Sequence, residues 1–220
     1  MICRIDAAQL SKIPAQGPLI LAMNHINFLD VPVFYTQLEP RLITGFAKAE
    51  SWDDPLLGWL FRLYGGIPIH RGTADLTALR TGLEALEAGH ILAVAPEGTR
   101  SGHGRLQRGN AGVVFVALRS GAPLLPVVYY GAEDYLSNLK RLRRTDFHIV
   151  VGQPFYLQTE GIKVTSDVRS QLVDEIMWQM AALLPPYYRG EYANLSAATE
   201  TYLRFPPNSE SNLTQALDSQ

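Results

Sequence analysis

Short apolar runs alternating with stretches of helical period constrain this chain more than any other feature. Residues 18–23, 42–47, 67–69, 91–95, 124–130 and 147–151 contain no Asp, Glu, Lys or Arg, and their lengths suit buried strands. Between and after them lie helical stretches at 30–38, 55–64, 73–88, 111–119 and 166–184. The third carries Leu76, Leu79, Leu83 and Leu86 on one face, with Thr73 as the expected N-cap and Gly89 as terminator. The fourth is expected to start at an Asn110 cap and end at Gly121. The last runs from a Ser166 cap, with a stripe of Val168, Leu172, Ile176, Met180 and Leu183, to the stop at Pro185-Pro186. Strands alternating with helices predict an α/β fold, a layered mixed and largely parallel β-sheet flanked by helices. One domain over residues 1–205 is expected, followed by a polar, disordered tail at 206–220.

The totals remove several function classes. Hydrophobic residues make up 47% and charged residues 18%, which suits a full core rather than a disordered chain. A formal net charge of −2 argues against a general nucleic-acid binder. The single cysteine, Cys3, excludes an internal disulfide and a cysteine-based zinc site. No uninterrupted apolar stretch reaches the 18 or so residues of a membrane-spanning helix, and no signal peptide is visible. The expected location is therefore the cytoplasm, against the inner face of a membrane.

In sheets of this kind, functional groups gather where strands deliver loops to one edge. The first run ends at Asn24-His25, and Asp30 follows five residues on. Residues i and i+5 do not share a helix face, so the pair meets only if His25 sits on a loop and Asp30 opens the next helix. Pro32 suits a first turn. Such a pair is a candidate general base with its orienting acid; the alternative is that Asp30 only caps the helix. Two other strand ends carry His70-Arg71 and Glu97-Gly98-Thr99-Arg100-Ser101. Arginine forks suit a phosphate, and Gly98 permits close backbone approach. A base beside an anion clamp suggests activation of a hydroxyl on a phosphorylated substrate. Arg71 pairing with a surface carboxylate, and Glu97 held by Arg100, are the plainer alternatives.

Asn24-His25-x-x-x-x-Asp30, Gly65-x-x-x-x-x-Arg71, Glu97-Gly98-Thr99-Arg100-Ser101 and Leu125-Pro126-Val127-Val128 occur in that order. The set resembles the glycerolipid acyltransferase family, in particular the 1-acyl-glycerol-3-phosphate (lysophosphatidic acid) acyltransferases. Lys48 and Gly152-Gln153-Pro154 fit the same pattern, and the likeness covers residues 17 to 157. It implies the glycerol-3-phosphate acyltransferase-like fold and direct acyl transfer from acyl-CoA or acyl-carrier protein to a free hydroxyl, giving phosphatidic acid. It makes His25 the base and Asp30 its partner, with Arg71, Glu97, Gly98, Thr99, Arg100 and Lys48 on the substrate side. No metal or bound cofactor is implied, because the thioester carries the activation. Pro68 and His70 depart from the second motif, where an aromatic and an acidic residue are usual. Acylation of glycerol 3-phosphate or of a lyso-aminolipid on the same machinery, or a silent lipid-binding protein, are the rivals.

Residues 55–64 are apolar almost all round, which favours burial on every side. The functional reading places Trp52, Trp59, Phe61 and Tyr64 toward lipid, with Arg62 at the headgroups. The basic run Lys140-Arg141-Leu142-Arg143-Arg144 reads as a solvated loop, or as an attraction to anionic lipid. The partners expected are an acyl thioester, a lysophospholipid and a membrane surface met peripherally.

Overall fold

The computed structural model describes residues 3–70, 72, 75–207 and 209–218; Arg71 and Thr73 lie outside them. Seven strands, β1 (Cys3–Asp6), β2 (Leu19–Met23), β3 (Ile43–Lys48), β4 (Ile67–Ile69), β5 (Ile91–Val94), β6 (Leu124–Tyr130) and β7 (Thr145–Val151), form one sheet. Their spatial order is β1-β7-β6-β2-β5-β3-β4. Every neighbouring pair is parallel except β6 with β7. Pro68 therefore sits on the edge strand β4, where its missing N–H costs no ladder bond. β2 lies at the centre, with all five residues buried.

Alternate residues of β2 feed two cores. Leu19, Leu21 and Met23 pack with Phe34 of α1 (Asp30–Gln37) and with Leu125, Val127 and Tyr129. Ile20 and Ala22 pack beneath α3 (Leu76–Glu87), α4 (Gly112–Ser120) and, after the short α5 (Tyr135–Lys140) in the chain, α6 (Ser166–Ala182). Burial on both faces is what a parallel sheet requires and why its strands read as unbroken apolar runs. Strands β2 to β6 share one direction, so the loops after them converge on a single edge.

Several local expectations change. Asp75, not Thr73, caps α3, its carboxylate accepting the Ala78 N–H. Thr165, not Ser166, caps α6 through the Val168 N–H. Asn110 does not cap α4 but donates its amide to the Glu97 carbonyl at 2.8 Å, because a tertiary partner outcompetes the local one. α2 (Pro55–Leu63) is not buried all round: Gly58 is its one buried residue, and Leu56, Trp59 and Leu63 are each more than half exposed. Its inner side meets the protein through Phe61, stacked on Trp52, while Tyr64 just beyond its end packs against Tyr35.

Strand β1 hides in a stretch with no apolar run, since only alternate residues are covered at an edge. A bidentate Arg4–Asp146 pair ties it to β7. The tail, expected to be disordered, carries α7 (Asn212–Asp218). Leu213 enters the core beneath α6, and Asn212 bonds to Gln153 N and Gln179 Oε1 at 2.7 and 2.8 Å. A Cβ on Gly152 would lie 2.6 Å from that Asn212 side chain, so this glycine is required by the tail docking over it. Glu175, fully buried, accepts the N–H groups of Thr201 and Tyr202 and anchors the approach to the tail.

Leu213→Ala should destabilise the protein by about 2–5 kcal/mol, the usual range for a truncated core leucine. Urea unfolding measures this; a change below about 0.5 kcal/mol, typical of surface substitutions, would mean the tail is not part of the core.

Candidate active site

Past the end of β2, Asn24 continues the strand by side chain. Its amide bonds the carbonyl and the N–H of Tyr129, both at 2.9 Å, so the pairing with β6 extends one residue beyond the backbone ladder. The chain then turns, and Asp30 at the start of α1 explains how. Its Oδ2 bonds His25 Nδ1 at 2.7 Å and accepts the N–H of Ile26 at 2.9 Å and of Asn27 at 3.2 Å. The Tyr129 hydroxyl also takes the Ile26 N–H. Asp30 is therefore more than a helix cap: it orients the imidazole and closes the turn that presents it. Burial pushes its carboxyl up, while His25 and the two backbone N–H groups pull it back. The Nε2 of His25 has no protein partner among the described residues, so the second ring nitrogen is left free.

The loop after β5 locks onto this turn. Glu97 Oε2 accepts the His25 N–H at 2.9 Å, and Oε1 accepts the Gln107 N–H at 2.8 Å. Ser101 N–H bonds the His25 carbonyl and Gly102 N–H the Ile26 carbonyl. Gly98 turns the loop at φ 69°, a conformation that side-chain-bearing residues adopt only with strain. The loop after β6 joins too, through Asn27 Nδ2 and the Ala132 carbonyl at 2.8 Å. Three strand ends are thereby tied around one histidine.

The structure divides the expected substrate residues. Gly98, Thr99 and Arg100 are exposed on the loop after β5. Lys48, at the end of β3, is exposed and pairs with Glu50 at 3.6 Å. Arg71 lies outside the described residues. Glu97, expected on the substrate side, is 4% exposed with both oxygens turned to backbone N–H groups. His70, an unassigned histidine in the sequence, bonds Asp75 at 3.0 Å. The tasks of Asn24, Asn27, Asn110 and Tyr129 were not visible in the sequence. Their partners are 13 to 105 residues away, and no local spacing signals such contacts. Among the described residues, no group of three His, Cys, Asp or Glu side chains could hold a metal ion.

Beside His25 and Asp30 a pocket runs down between α1, β3, β5 and α2. Its walls are mainly apolar, with Val31, Phe34, Phe46, Phe61, Ala93 and Val94 among them. A mainly apolar slot lined also by a histidine–carboxylate pair suits an amphiphile with its polar group beside the imidazole.

A family model described as "Acyltransferase" matches residues 4–130. A lyso-ornithine lipid O-acyltransferase of Pseudomonas aeruginosa is 34% identical over 176 residues, covering 70% of this chain and 67% of that protein. A 1-acyl-sn-glycerol-3-phosphate acyltransferase of Bacillus subtilis is 25% identical, covering 66% and 70%. A chloroplastic one of Brassica napus is 26% identical, and the match spans 70% of this chain but only 45% of that protein. The crystal structure of the 1-acyl-sn-glycerophosphate acyltransferase of Thermotoga maritima has the same fold, with a TM-score of 0.57 at 24% identity over 78% of this chain and 67% of that one.

Burial raises the Glu97 carboxyl from its ordinary 4.5 to about 7. Between those values the folded protein keeps a proton that the unfolded chain releases, so this group's contribution to stability is lost as pH rises through about 7. Unfolding free energy should fall by about 2–4 kcal/mol from this source between pH 4.5 and 8. Urea titrations should show a shallower decline in Glu97→Gln; equal slopes in the two proteins would refute the assignment.

Proposed function

Because the chain belongs to the acyltransferase family, we propose that it moves a fatty acyl chain from a thioester to the free hydroxyl of an acidic lyso-lipid, with His25 as general base. 1-Acyl-glycerol 3-phosphate is the simplest such acceptor, and phosphatidic acid the product. The observation that carries the reading is the His25–Asp30 pair at 2.7 Å, lining a mainly apolar pocket.

In this reading the acyl chain lies in the pocket and its thioester carbonyl stands beside His25. His25 Nε2 takes the proton of the acceptor hydroxyl as its oxygen attacks the carbonyl carbon. The tetrahedral intermediate collapses with cleavage of the C–S bond, and the imidazolium returns the proton to the departing thiolate. Asp30 holds the tautomer with Nε2 free and stabilises the imidazolium, as carboxylates do beside catalytic histidines. Glu97 is assigned a positioning role, since its oxygens are engaged by the two loops. Arg100, Thr99 and Gly98 on the loop after β5, with Arg71 and Lys48, are assigned to the acid group of the acceptor. Coenzyme A and acyl-carrier protein both present the thioester that this chemistry needs. The relative acting on lyso-ornithine lipid supports a second reading, in which the acceptor is a lyso-aminolipid.

A peripheral membrane position accounts for surfaces that water alone would disfavour. No described helix is long and apolar enough to cross a membrane. α2 nevertheless exposes Leu56, Leu57, Trp59 and Leu63 on the outside of the element that walls the pocket. At the same sheet edge, Leu142 is 94% exposed at φ 53°, flanked by the exposed Arg141, Arg143 and Arg144. Apolar tips among arginines suit an anionic lipid surface, from which the acceptor would reach His25.

Thiol release from oleoyl-CoA should require an added lyso-lipid, and His25→Ala and Asp30→Asn should each slow it by about 10²–10⁴-fold. Release that ignores the acceptor would indicate a thioesterase instead. Vesicle sedimentation tests the surface. Leu56→Ser with Trp59→Ser should weaken binding by about tenfold or more, and serine at Arg141, Arg143 and Arg144 should remove its salt dependence. Binding that survives both sets would rule out this docking face.

A further inference from the structure

A carboxylate that the mechanism does not use lies on the other flank of His25. The pocket occupies the side of β2 that faces β5 and β3; Glu133 follows β6, on the opposite side. One of its oxygens, Oε1, accepts the Tyr188 hydroxyl at 2.6 Å. The other, Oε2, is buried with no hydrogen-bond partner among the described residues. No described basic side chain forms an ion pair with Glu133. The nearby Arg105 instead lies over the Tyr187 ring at 4.3 Å. A buried carboxyl oxygen without a donor is costly, and native proteins rarely leave one so without a reason.

The surroundings specify the missing donor. Tyr188 and Tyr130 pack with ring centroids 5.2 Å apart, giving aromatic faces beside the carboxylate. An anion with aromatic neighbours attracts a cation and repels a phosphate. The connection to the catalytic turn is short: Gly104 N–H bonds Ser101 Oγ at 3.2 Å, and Ser101 N–H bonds the His25 carbonyl at 2.8 Å. A Cβ on Gly104 would stand 3.3 Å from Glu133 Oε2 and 3.2 Å from the Tyr188 ring. The loop carrying Gly102 and Gly104, both at positive φ, covers the oxygen, and glycine gives it the backbone freedom to move aside.

We propose that Glu133, oriented by Tyr188, binds a primary ammonium group on the acceptor headgroup. The proposal rests on the acyl-transfer reading above and narrows its acceptor to an acidic lyso-lipid that also carries an amine. Ligand entry would lift the loop at residues 102–104, give Oε2 its donor, and leave the acid group of the headgroup to Arg71 and Arg100.

The test compares kcat/KM for three acceptors, N-(3-hydroxyacyl)ornithine, its amine-deleted analogue N-(3-hydroxyacyl)norvaline, and 1-acyl-glycerol 3-phosphate, with oleoyl-CoA as donor. Wild type should favour the ornithine acceptor over the norvaline one by about tenfold or more, the size of one charge-assisted hydrogen bond. Glu133→Gln, which keeps an oxygen for Tyr188, should bring that ratio to about one, mainly through KM, and Tyr188→Phe should lower it partway. Thermal melting establishes that both variants are folded. Equal use of the two acceptors by wild type, a ratio unchanged in Glu133→Gln, or transfer to 1-acyl-glycerol 3-phosphate alone would each overturn the proposal while leaving acyl transfer standing. Transfer to none of the three would overturn the acyl-transfer reading and the proposal with it.

Discussion

The buried carboxylate of Asp30 is the constraint on which the site depends. Burying a carboxylate without donors would cost more than a small domain can spare. Asp30 avoids this by gathering the His25 imidazole and the N–H groups of Ile26 and Asn27. Those bonds dictate the path of the chain between β2 and α1, and the path aims the imidazole at the pocket. Remove the carboxylate and both the turn and the ring lose their reference. In the proposed reaction, structural and chemical roles belong to one group.

Glu97 repeats the device across a strand boundary. Its two oxygens join His25 and Gln107, residues on different loops, from a position almost sealed from solvent. A carboxylate held this way raises its own affinity for a proton, because burial disfavours the charge more than two N–H donors favour it. Evidently the edge trades stability at neutral pH for a rigid alignment of two loops. Asn24 and Asn27 make the matching connection to β6 with neutral amides, which are cheaper to bury than a charge.

The same edge divides into three chemical neighbourhoods. An apolar slot lies between α1, β3, β5 and α2; the exposed Gly98, Thr99 and Arg100 follow β5; a carboxylate among tyrosines lies beyond β6. Strand order produces this separation, since β2 has β5 on one side and β6 on the other. An amphiphile with a chain at one end and a charged head at the other matches such a layout. The exposed face of α2 carries the apolar character of the slot out to the surface.

Much of this was legible in the residues themselves. Apolar runs without charges located β2 to β7, most plainly β2 and β6, whose burial on both faces leaves no position for a charge. For His25 and Asp30 the steric argument gave only the condition for contact, a loop and then a helix start across the five-residue gap; the structure meets it with a 2.7 Å bond. Edge and terminal elements escaped, β1 and α7 above all, since a half-covered edge strand and a polar tail with one buried leucine carry little periodic signal. α2 was misread because apolar residues on all sides look the same whether they face core or solvent. By itself, then, the sequence determined which groups could do chemistry and which strands would bring them to one edge. Only the tertiary structure decided what each group does there: Glu97 turned inward to backbone, Asn110 drawn from its helix, Glu133 left with one oxygen unpaired. Those outcomes depend on partners distant in the chain, and a side chain's partner is chosen by what packing places within 3 Å or so of it.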